Sequence, residues 1–128
     1  MPHIPSPHLA SRPRRNRKTA VMRAMHRETF LNASHFIYPL FIHGGSENIP
    51  IRSMPGCVRL SPEGLLAEIE GAVADGVQSV VLFPAIPDAL KTSGAEEAWN
   101  PDGLIPKTLR ALKARWPNLM LVTDVALD

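Results

Sequence analysis

The sequence predicts an α/β fold in which parallel strands alternate with helices. Two observations support this: three apolar runs typical of buried strands, and apolar residues at helical spacing between them. The runs begin near residues 36, 77 and 119, so one strand-helix unit repeats about every 41 residues. Eight such units would need roughly 330 residues, within the range of a (β/α)₈ (TIM) barrel with long loops. We therefore expect the first three strands and two helices of such a barrel, preceded by an extended N-terminal arm. A small open fold with three strands is the alternative.

The predicted strands occupy residues 35–42, 77–83 and 119–125. Near-continuous apolar runs are typical of parallel strands that are buried on both faces. Pro39 interrupts the first run and removes a ladder hydrogen bond, which indicates an irregular or edge-like position. Long loops, 43–60 and 84–100, follow the first two strands. These loops belong to the carboxyl edge of the sheet, where barrel enzymes place their active sites.

Capping residues give the limits of the two helices. The first begins at Ser61, a favourable N-cap with proline after it, and ends at Gly76, which suits the C′ position. The second begins near Pro101 or Pro106 and ends before Pro117. Each helix has one apolar stripe, formed by Leu65, Ile69, Ala72 and Val73 in the first and by Ile105, Leu109, Leu112 and Trp116 in the second.

Charge divides the chain into a basic arm and an acidic body. Residues 1–27 hold seven Arg or Lys and no acid, whereas residues 28–128 hold seven basic and twelve acidic residues, a net charge of −5. We expect a partly disordered arm over 1–34, either extended or with a short helix at 20–25, and a truncated barrel domain over 35–128. The opposite charges favour contact between the arm and the body of a neighbouring copy. Polyanion binding, plain disorder and an Arg-rich organelle-targeting presequence are the alternatives.

Composition argues against several functional classes. The single cysteine, Cys57, excludes an internal disulfide and a cysteine metal cluster, and we interpret it as a free structural thiol. The five histidines show no metal-binding spacing. No run approaches the roughly 18 apolar residues of a membrane helix, and a secretory signal is not expected because no apolar h-region is present. Aromatic residues are scarce, so nucleic acid is not an expected partner. Lys91, in the second long loop, is interpreted as a solvated lysine.

Six segments together resemble the porphobilinogen synthase (δ-aminolevulinic acid dehydratase) family. Their order and spacing match over residues 12–128, and residues 83–92 are most similar to plant, algal and related bacterial members. The resemblance implies a (β/α)₈ barrel and an arm that wraps a neighbouring subunit, usually in a homo-octamer. It extends over about the first third of the family's length, so we expect an N-terminal portion of a longer enzyme. The six segments are 12–17, 38–42, 53–56, 81–83, 100–104 and 123–128.

The resemblance also implies a hydro-lyase reaction. The family joins two 5-aminolevulinate molecules, with loss of two waters, to form porphobilinogen for haem and chlorophyll biosynthesis. Lysine Schiff bases with the substrate ketones act as electron sinks. The family's Schiff-base lysines match positions beyond this chain, so we expect the 128-residue chain alone to be inactive. The alternative is a non-catalytic fragment that docks on full-length subunits as an assembly module. Plastid and cytoplasm both remain open as locations, and no membrane partner is expected.

The resemblance assigns roles to four positions in the strands and the arm. Asp124 matches a carboxylate of the catalytic pocket with a supporting role, and Phe83 matches an apolar wall of the substrate pocket. Alternatively, Asp124 anchors a loop or helix, and Phe83 is ordinary core. Arg14 and Arg15 fall in the family's arginine motif, and we expect them to form charge-assisted hydrogen bonds across subunits.

A metal preference follows from the same comparison. In zinc-type members, cysteines occupy the positions that match Ala126 and Asp128. Thiolates select zinc, whereas carboxylates favour magnesium and other hard ions. We therefore expect Mg²⁺ rather than an active-site zinc in the intact enzyme, with Asp128 as a candidate metal ligand. Gly45 stands where many family members have an acid, and the sequence does not indicate the effect.

Overall fold

The computed structural model of the chain describes residues 14–124. Contacts divide the chain into two compact units, with the boundary between Leu31 and Asn32. The predictions made for residues 1–13 and 125–128, including those for Ala126 and Asp128, lie outside the described residues.

The described part of the first unit is a basic segment that forms two short helices in succession. A 3₁₀ turn spans Arg14–Arg17 and helix α1 spans Ala20–Met25. The hydroxyl oxygen of Thr19 accepts a hydrogen bond from the Met22 amide at 3.1 Å and so caps α1. The prediction of a short helix at 20–25 is confirmed. The exposed large apolar side chains of this unit are Val21, Met25, Phe30 and Leu31.

The second unit is an α/β body built on one mixed sheet. In the described residues the strand order is β2-β3-β1-β4-β5. The sheet is parallel except at β2, which pairs antiparallel with β3. The strands are β1 (Ile37–Ile42), β2 (Ile49–Pro50), β3 (Val58–Leu60), β4 (Ser79–Pro84) and β5 (Met120–Thr123), and the helices are α2 (Pro62–Ala74) and α3 (Leu104–Arg115).

The prediction that residues 43–60 form only a loop is wrong. This segment contains β2 and β3, which pair through Ile49 and Arg59, and β3 then joins the edge of β1. Gly56 closes the hairpin with φ +87°, a left-handed conformation that suits glycine. Strands of two and three residues are too short to leave a periodic signal in the sequence. The described sheet is therefore mixed and has more strands than the three expected.

Pro39 fits the sheet because β3 is short. Although β1 lies in the middle of the strand order, β3 pairs with it only at Phe41 and Ile42. Pro39 is in register with Val81 of β4 on the other side. Within the described residues, Pro39 thus lies in an edge-like stretch of a central strand, as predicted.

The core lies between one face of the sheet and helices α2 and α3. Ser61 caps α2 by accepting a hydrogen bond from the Gly64 amide at 3.1 Å, and Gly76 follows the helix with φ +93°. Both capping predictions are confirmed. Helix α3 begins at Leu104, between the two predicted starts. The most buried core residues are Ile42, Ile69, Val80, Leu82 and Leu112.

Candidate functional site at the carboxyl edge

A cleft of about 370 Å³ lies at the carboxyl ends of β4 and β5. The loop 84–100 forms one wall, and the first turn of α3 forms another. Because polar groups at the carboxyl ends of parallel strands converge on one edge, this is the place where an α/β body can assemble chemistry. The polar residues that line the cleft are Lys91, Thr92, Glu97, Thr123 and Asp124.

Strand β5 ends at Thr123, two residues before the predicted end, so Asp124 lies directly after the strand, and it is exposed. The strand register aligns Leu82 of β4 with Thr123 of β5. Phe83 is the next residue of β4, and Asp124 is the residue that follows β5. The structure thus brings these two predicted site residues to the same edge, although their catalytic and substrate-binding roles stay predictions.

Phe83 packs against its neighbour on β1. Its ring centroid lies 5.7 Å from that of Phe41, with an angle of 31° between the ring planes. The two residues are in register and alternate along their strands with the buried Leu82 and Ile42. They therefore belong to the sheet face opposite the helices. Phe83 is only partly buried there and is not among the residues that line the cleft.

The loop 84–100 is held in shape by its own polar side chains. Thr92 donates a hydrogen bond to the Glu96 carboxylate, and this bond lowers the pKa of Glu96. The Asn100 side-chain amide donates to Glu97 at 2.8 Å. Within the segment closed by the Thr92–Glu96 bond, Ala95 adopts φ +52°, a left-handed conformation that costs an alanine free energy. The loop is thus an ordered wall of the cleft, built from two 3₁₀ turns, Asp88–Leu90 and Glu96–Trp99.

Lys91 lies in this wall and is exposed to solvent. Its ammonium nitrogen is 3.9 Å from the Asp88 carboxylate, and both side chains are well exposed. Such an exposed pair contributes little stability. The prediction of a solvated lysine is consistent with this exposure. The structure adds that Lys91 and Asp124, which are far apart in sequence, line the same cleft.

The loop after β1 is organised by a histidine ring. Nδ1 of His43 accepts a hydrogen bond from the Gly45 amide at 3.1 Å, and Nε2 lies 2.8 Å from the Glu47 carbonyl oxygen. These two bonds together indicate the tautomer in which Nε2 has the proton. A Cβ on Gly45 would lie 2.7 Å from Cε1 of His43. A side chain at position 45 would therefore displace this ring.

A second contact fixes the same loop to helix α2. The Asn48 side-chain oxygen accepts hydrogen bonds from the Ser61 amide at 2.9 Å and from the Ser61 hydroxyl at 3.2 Å. Ser61 in turn caps α2 through Gly64. The carboxyl-edge loop and the helix start thus form one hydrogen-bonded unit. Gly64 is needed because a side chain there would overlap Asn48.

The described residues do not supply a metal site. Over 14–124, no group of three His, Cys, Asp or Glu residues is placed to hold a metal ion. The expected ligand Asp128 lies outside this range, so the expectation of Mg²⁺ stays a prediction. The same part of the chain has no helix long and apolar enough to cross a membrane.

The structure also describes three other predicted residues, Arg14, Arg15 and Cys57. Arg14 and Arg15 are exposed in the 3₁₀ turn of the first unit, and their role in assembly stays a prediction. Cys57 is a free, partly buried thiol in the β2–β3 hairpin. Sequence reasoning missed the contributions of Glu97 and Trp99 to the cleft. The length of loop 84–100 could have indicated these two residues, because long loops after parallel strands often form functional sites.

Comparisons with known proteins agree on one family. The family model for delta-aminolevulinic acid dehydratase matches residues 10–128. The chloroplastic enzyme of Selaginella martensii is 57% identical over 121 residues, which cover 94% of this chain and 29% of that protein. The chloroplastic enzyme of Glycine max is 52% identical over 128 residues, covering 99% of this chain and 31% of that protein.

A solved structure has the same fold over the matching region. It is the delta-aminolevulinic acid dehydratase (porphobilinogen synthase) of Toxoplasma gondii ME49, in complex with the reaction product porphobilinogen. The TM-score is 0.85 at 46% sequence identity, and the match covers 94% of this chain and 34% of that chain. The chain therefore spans about a third of the length of the proteins that it matches.

Proposed function

Because the chain belongs to the delta-aminolevulinic acid dehydratase family, we propose that it forms the N-terminal part of a porphobilinogen synthase. The reaction joins two 5-aminolevulinate molecules and releases two waters, in tetrapyrrole biosynthesis. The main support is the likeness to the product-bound enzyme, at a TM-score of 0.85 and 46% identity. The position of Asp124 at the carboxyl edge, beside an ordered cleft, agrees with this proposal. The body would then be the first part of a (β/α)₈ barrel.

Asp124 would supply a carboxylate to the substrate site, and Phe83, on the neighbouring strand but outside the cleft lining, would supply an apolar surface. A carboxylate at the end of a barrel strand can bind the ammonium group of an amino-ketone substrate and orient it for proton transfer. An aromatic side chain on the neighbouring strand excludes water and so strengthens that electrostatic contact. Neither residue forms a covalent bond in this scheme. Their role is to bind and orient.

The covalent steps belong to residues outside this chain. A lysine amine and a substrate ketone condense to a Schiff base with loss of one water, and the protonated imine withdraws electrons from the adjacent carbon. In the family, the lysines that do this match positions beyond residue 128. Lys91 is not one of them. We therefore expect the 128-residue chain alone to form no porphobilinogen.

Metal, location and assembly complete the proposal. In the intact enzyme, Asp128 would contribute a carboxylate oxygen to Mg²⁺, since residues 14–124 form no metal cluster of their own. A plastid location is supported by the chloroplastic names of the relatives. Arg14 and Arg15, both exposed, would hold a neighbouring subunit in a homo-oligomer.

Alanine at both positions should then lower the mass of a full-length version in light scattering, whereas an unchanged mass would exclude this role.

An assembly module without catalytic activity is the second candidate. It is favoured by the exposed apolar side chains of the sheet, such as Ile37 and Met120, which suit contact with another protein. Catalysis distinguishes the two candidates, because both would associate with full-length subunits. A module without catalytic activity should leave the chimera described below without turnover, whereas a catalytic segment should support porphobilinogen formation.

A segment replacement tests the catalytic proposal directly. Residues 12–128 are introduced in place of the matching segment of the Selaginella martensii protein, and porphobilinogen is measured by a colour assay with 5-aminolevulinate and Mg²⁺. The chimera should form porphobilinogen, and Asp124→Asn should lower the rate by roughly 10²-fold or more. Asp102→Asn, an exposed carboxylate near the start of α3, serves as the matched control. A folded chimera without turnover, or an active Asp124→Asn chimera, would contradict the proposal.

A further inference from the structure

Helix α3 begins without the capping groups that begin helix α2. Its N-cap is Gly103, which has no side chain to accept a hydrogen bond, and its first turn contains no acidic residue. By contrast, Ser61 caps α2, and Glu63 lies in the first turn of that helix. The amino end of a helix presents unpaired amides and a partial positive charge, so a negative group from another part of the chain would stabilise α3.

Glu97, in the loop 84–100, supplies this negative group. A Cβ built on Gly103 would lie 2.7 Å from Oε1 of Glu97, so the carboxylate lies against the N-cap of α3. Glu97 is half-buried there, and Gly103 is buried. Glycine at this position leaves the space that the carboxylate occupies. The charge of the loop therefore faces the positive end of the helix that follows it.

Asn100 connects the Glu97 carboxylate to the turn before the helix. Its side-chain amide donates a hydrogen bond to Oε2 of Glu97 at 2.8 Å, and its side-chain oxygen accepts one from the Asp102 amide at 3.0 Å. The carbonyl oxygen of Asn100 accepts a further hydrogen bond from the Gly103 amide at 3.0 Å. These bonds form a continuous connection from the loop to the start of α3.

The two elements joined in this way are walls of the cleft at the carboxyl edge. Glu97 and Trp99 line the cleft from the loop, and Leu104 and Ile105 line it from the first turn of α3. Trp99 is exposed, and it lies in sequence between the two residues that form the 2.8 Å hydrogen bond. The contacts of Glu97 therefore hold both walls in one arrangement.

We propose that Glu97 is a positioning residue of this cleft. Its carboxylate holds the loop 84–100 on the start of α3, through Asn100 and against Gly103, and so fixes both walls relative to Asp124. Glu97 acts through the walls and not on the reacting atoms. The inference rests on the proposed function in taking 5-aminolevulinate as the ligand of the cleft.

Steady-state kinetics of the chimera described above tests this role. Glu97→Ala should raise KM for 5-aminolevulinate by about tenfold and change kcat by less than about threefold, because a displaced wall weakens the binding of substrate and transition state alike. Glu97→Gln should restore most of the lost affinity, since its side-chain oxygen can still accept the hydrogen bond from Asn100. Glu63→Ala removes an exposed carboxylate at the start of α2 and is the matched control, with KM unchanged.

A purely structural role of Glu97 predicts a different result. Glu97→Ala would then reduce the fraction of folded chimera, as judged by circular dichroism, and leave KM of the folded molecules unchanged. That outcome would overturn the proposal. A Glu97→Gln variant with no better KM than Glu97→Ala would overturn it as well.

Gly103 provides an independent test of the same contact. Gly103→Ala places a methyl group 2.7 Å from Oε1 of Glu97 and should raise KM by displacing the carboxylate. When Glu97 is already alanine, this methyl group meets no carboxylate, so the two increases in KM should combine to much less than their product. Increases that multiply in the double variant would show that Gly103 and Glu97 act independently, which contradicts the proposal.

Amide hydrogen exchange of the 128-residue chain tests the contact without any activity. Glu97→Ala frees the Asn100 side chain, so the Asp102 amide should exchange about tenfold faster in NMR, whereas Glu63→Ala should leave that rate unchanged. An unchanged rate in Glu97→Ala would overturn the inference whether or not the chimera is active. Faster exchange together with an inactive parent chimera would support the contact and exclude the catalytic proposal. The two can therefore fail separately.

Discussion

The two faces of the sheet contain similar side chains but differ sharply in burial. On the face toward α2 and α3, Leu40 is 3% exposed, and Val80 and Leu82 are 0% exposed. On the opposite face, Ile37 and Met120 are 52% and 51% exposed. Strand alternation sends successive residues to opposite faces, so both sets come from the same short runs. The packing of the described body is therefore one-sided, and a closed barrel would enclose the second face.

The largest expected effect of this difference in burial concerns two adjacent positions on β4. Leu82→Ala should lower the free energy of unfolding by about 2–5 kcal/mol, because it leaves a cavity beneath the helices. Val81→Ala, one residue earlier on the half-exposed face, should cost roughly 1 kcal/mol, since less apolar area leaves the core. Urea denaturation of both variants measures the difference. Equal costs would show that the two faces contribute alike to stability.

A smaller effect is expected at the start of the covering helix. Ser61→Ala removes the cap of α2 and the hydrogen bonds of its hydroxyl with Asn48 and Gly64, and should cost about 0.5–2 kcal/mol. Ser53→Ala, at an exposed loop position, is the matched control and should change stability by less than about 0.5 kcal/mol. Thermal unfolding of the two variants provides the measurement. A neutral Ser61→Ala would mean that packing alone holds α2 on the sheet.

The smallest expected effect concerns Tyr38, which lies on the covered face of the sheet near its amino edge. Its hydrogen bond to Glu68, together with burial and the negative charge of that carboxylate, raises the pKa of Tyr38 from 10.0 to about 12. The raised value means that the fold favours the protonated phenol. The resulting stability is fully present below pH 10 and is lost as the pH rises toward 12.

Ultraviolet titration can measure this directly because Tyr38 is the only tyrosine of the chain. The tyrosinate absorbance should have its midpoint near 12 in the folded chain and near 10 in urea. Glu68→Gln should lower the folded midpoint, and Tyr38→Phe should abolish the absorbance change. A folded midpoint near 10 would show that the hydrogen bond does not form in solution.

Local rules in the sequence were sufficient for the main elements of the body. Ser61 and Gly76 limit α2 because their capping chemistry depends on a few adjacent residues. The three long apolar runs became β1, β4 and β5, and Asp124 was expected at the end of the last one. The family resemblance, with residues 12–128 expected to match, was confirmed by a family model that matches 10–128.

Contacts between distant residues were decided only by the tertiary structure. The β2–β3 hairpin depends on pairing of Ile49 with Arg59, and strands so short leave no pattern to read. The sequence placed loop 84–100 at the carboxyl edge, but it did not show that Lys91 and Asp124 line one cleft, because their approach requires α3 and β5 to return the chain to the same edge. Periodicity and capping act over a few residues, whereas the shape of a site depends on where the whole sheet brings its loops together.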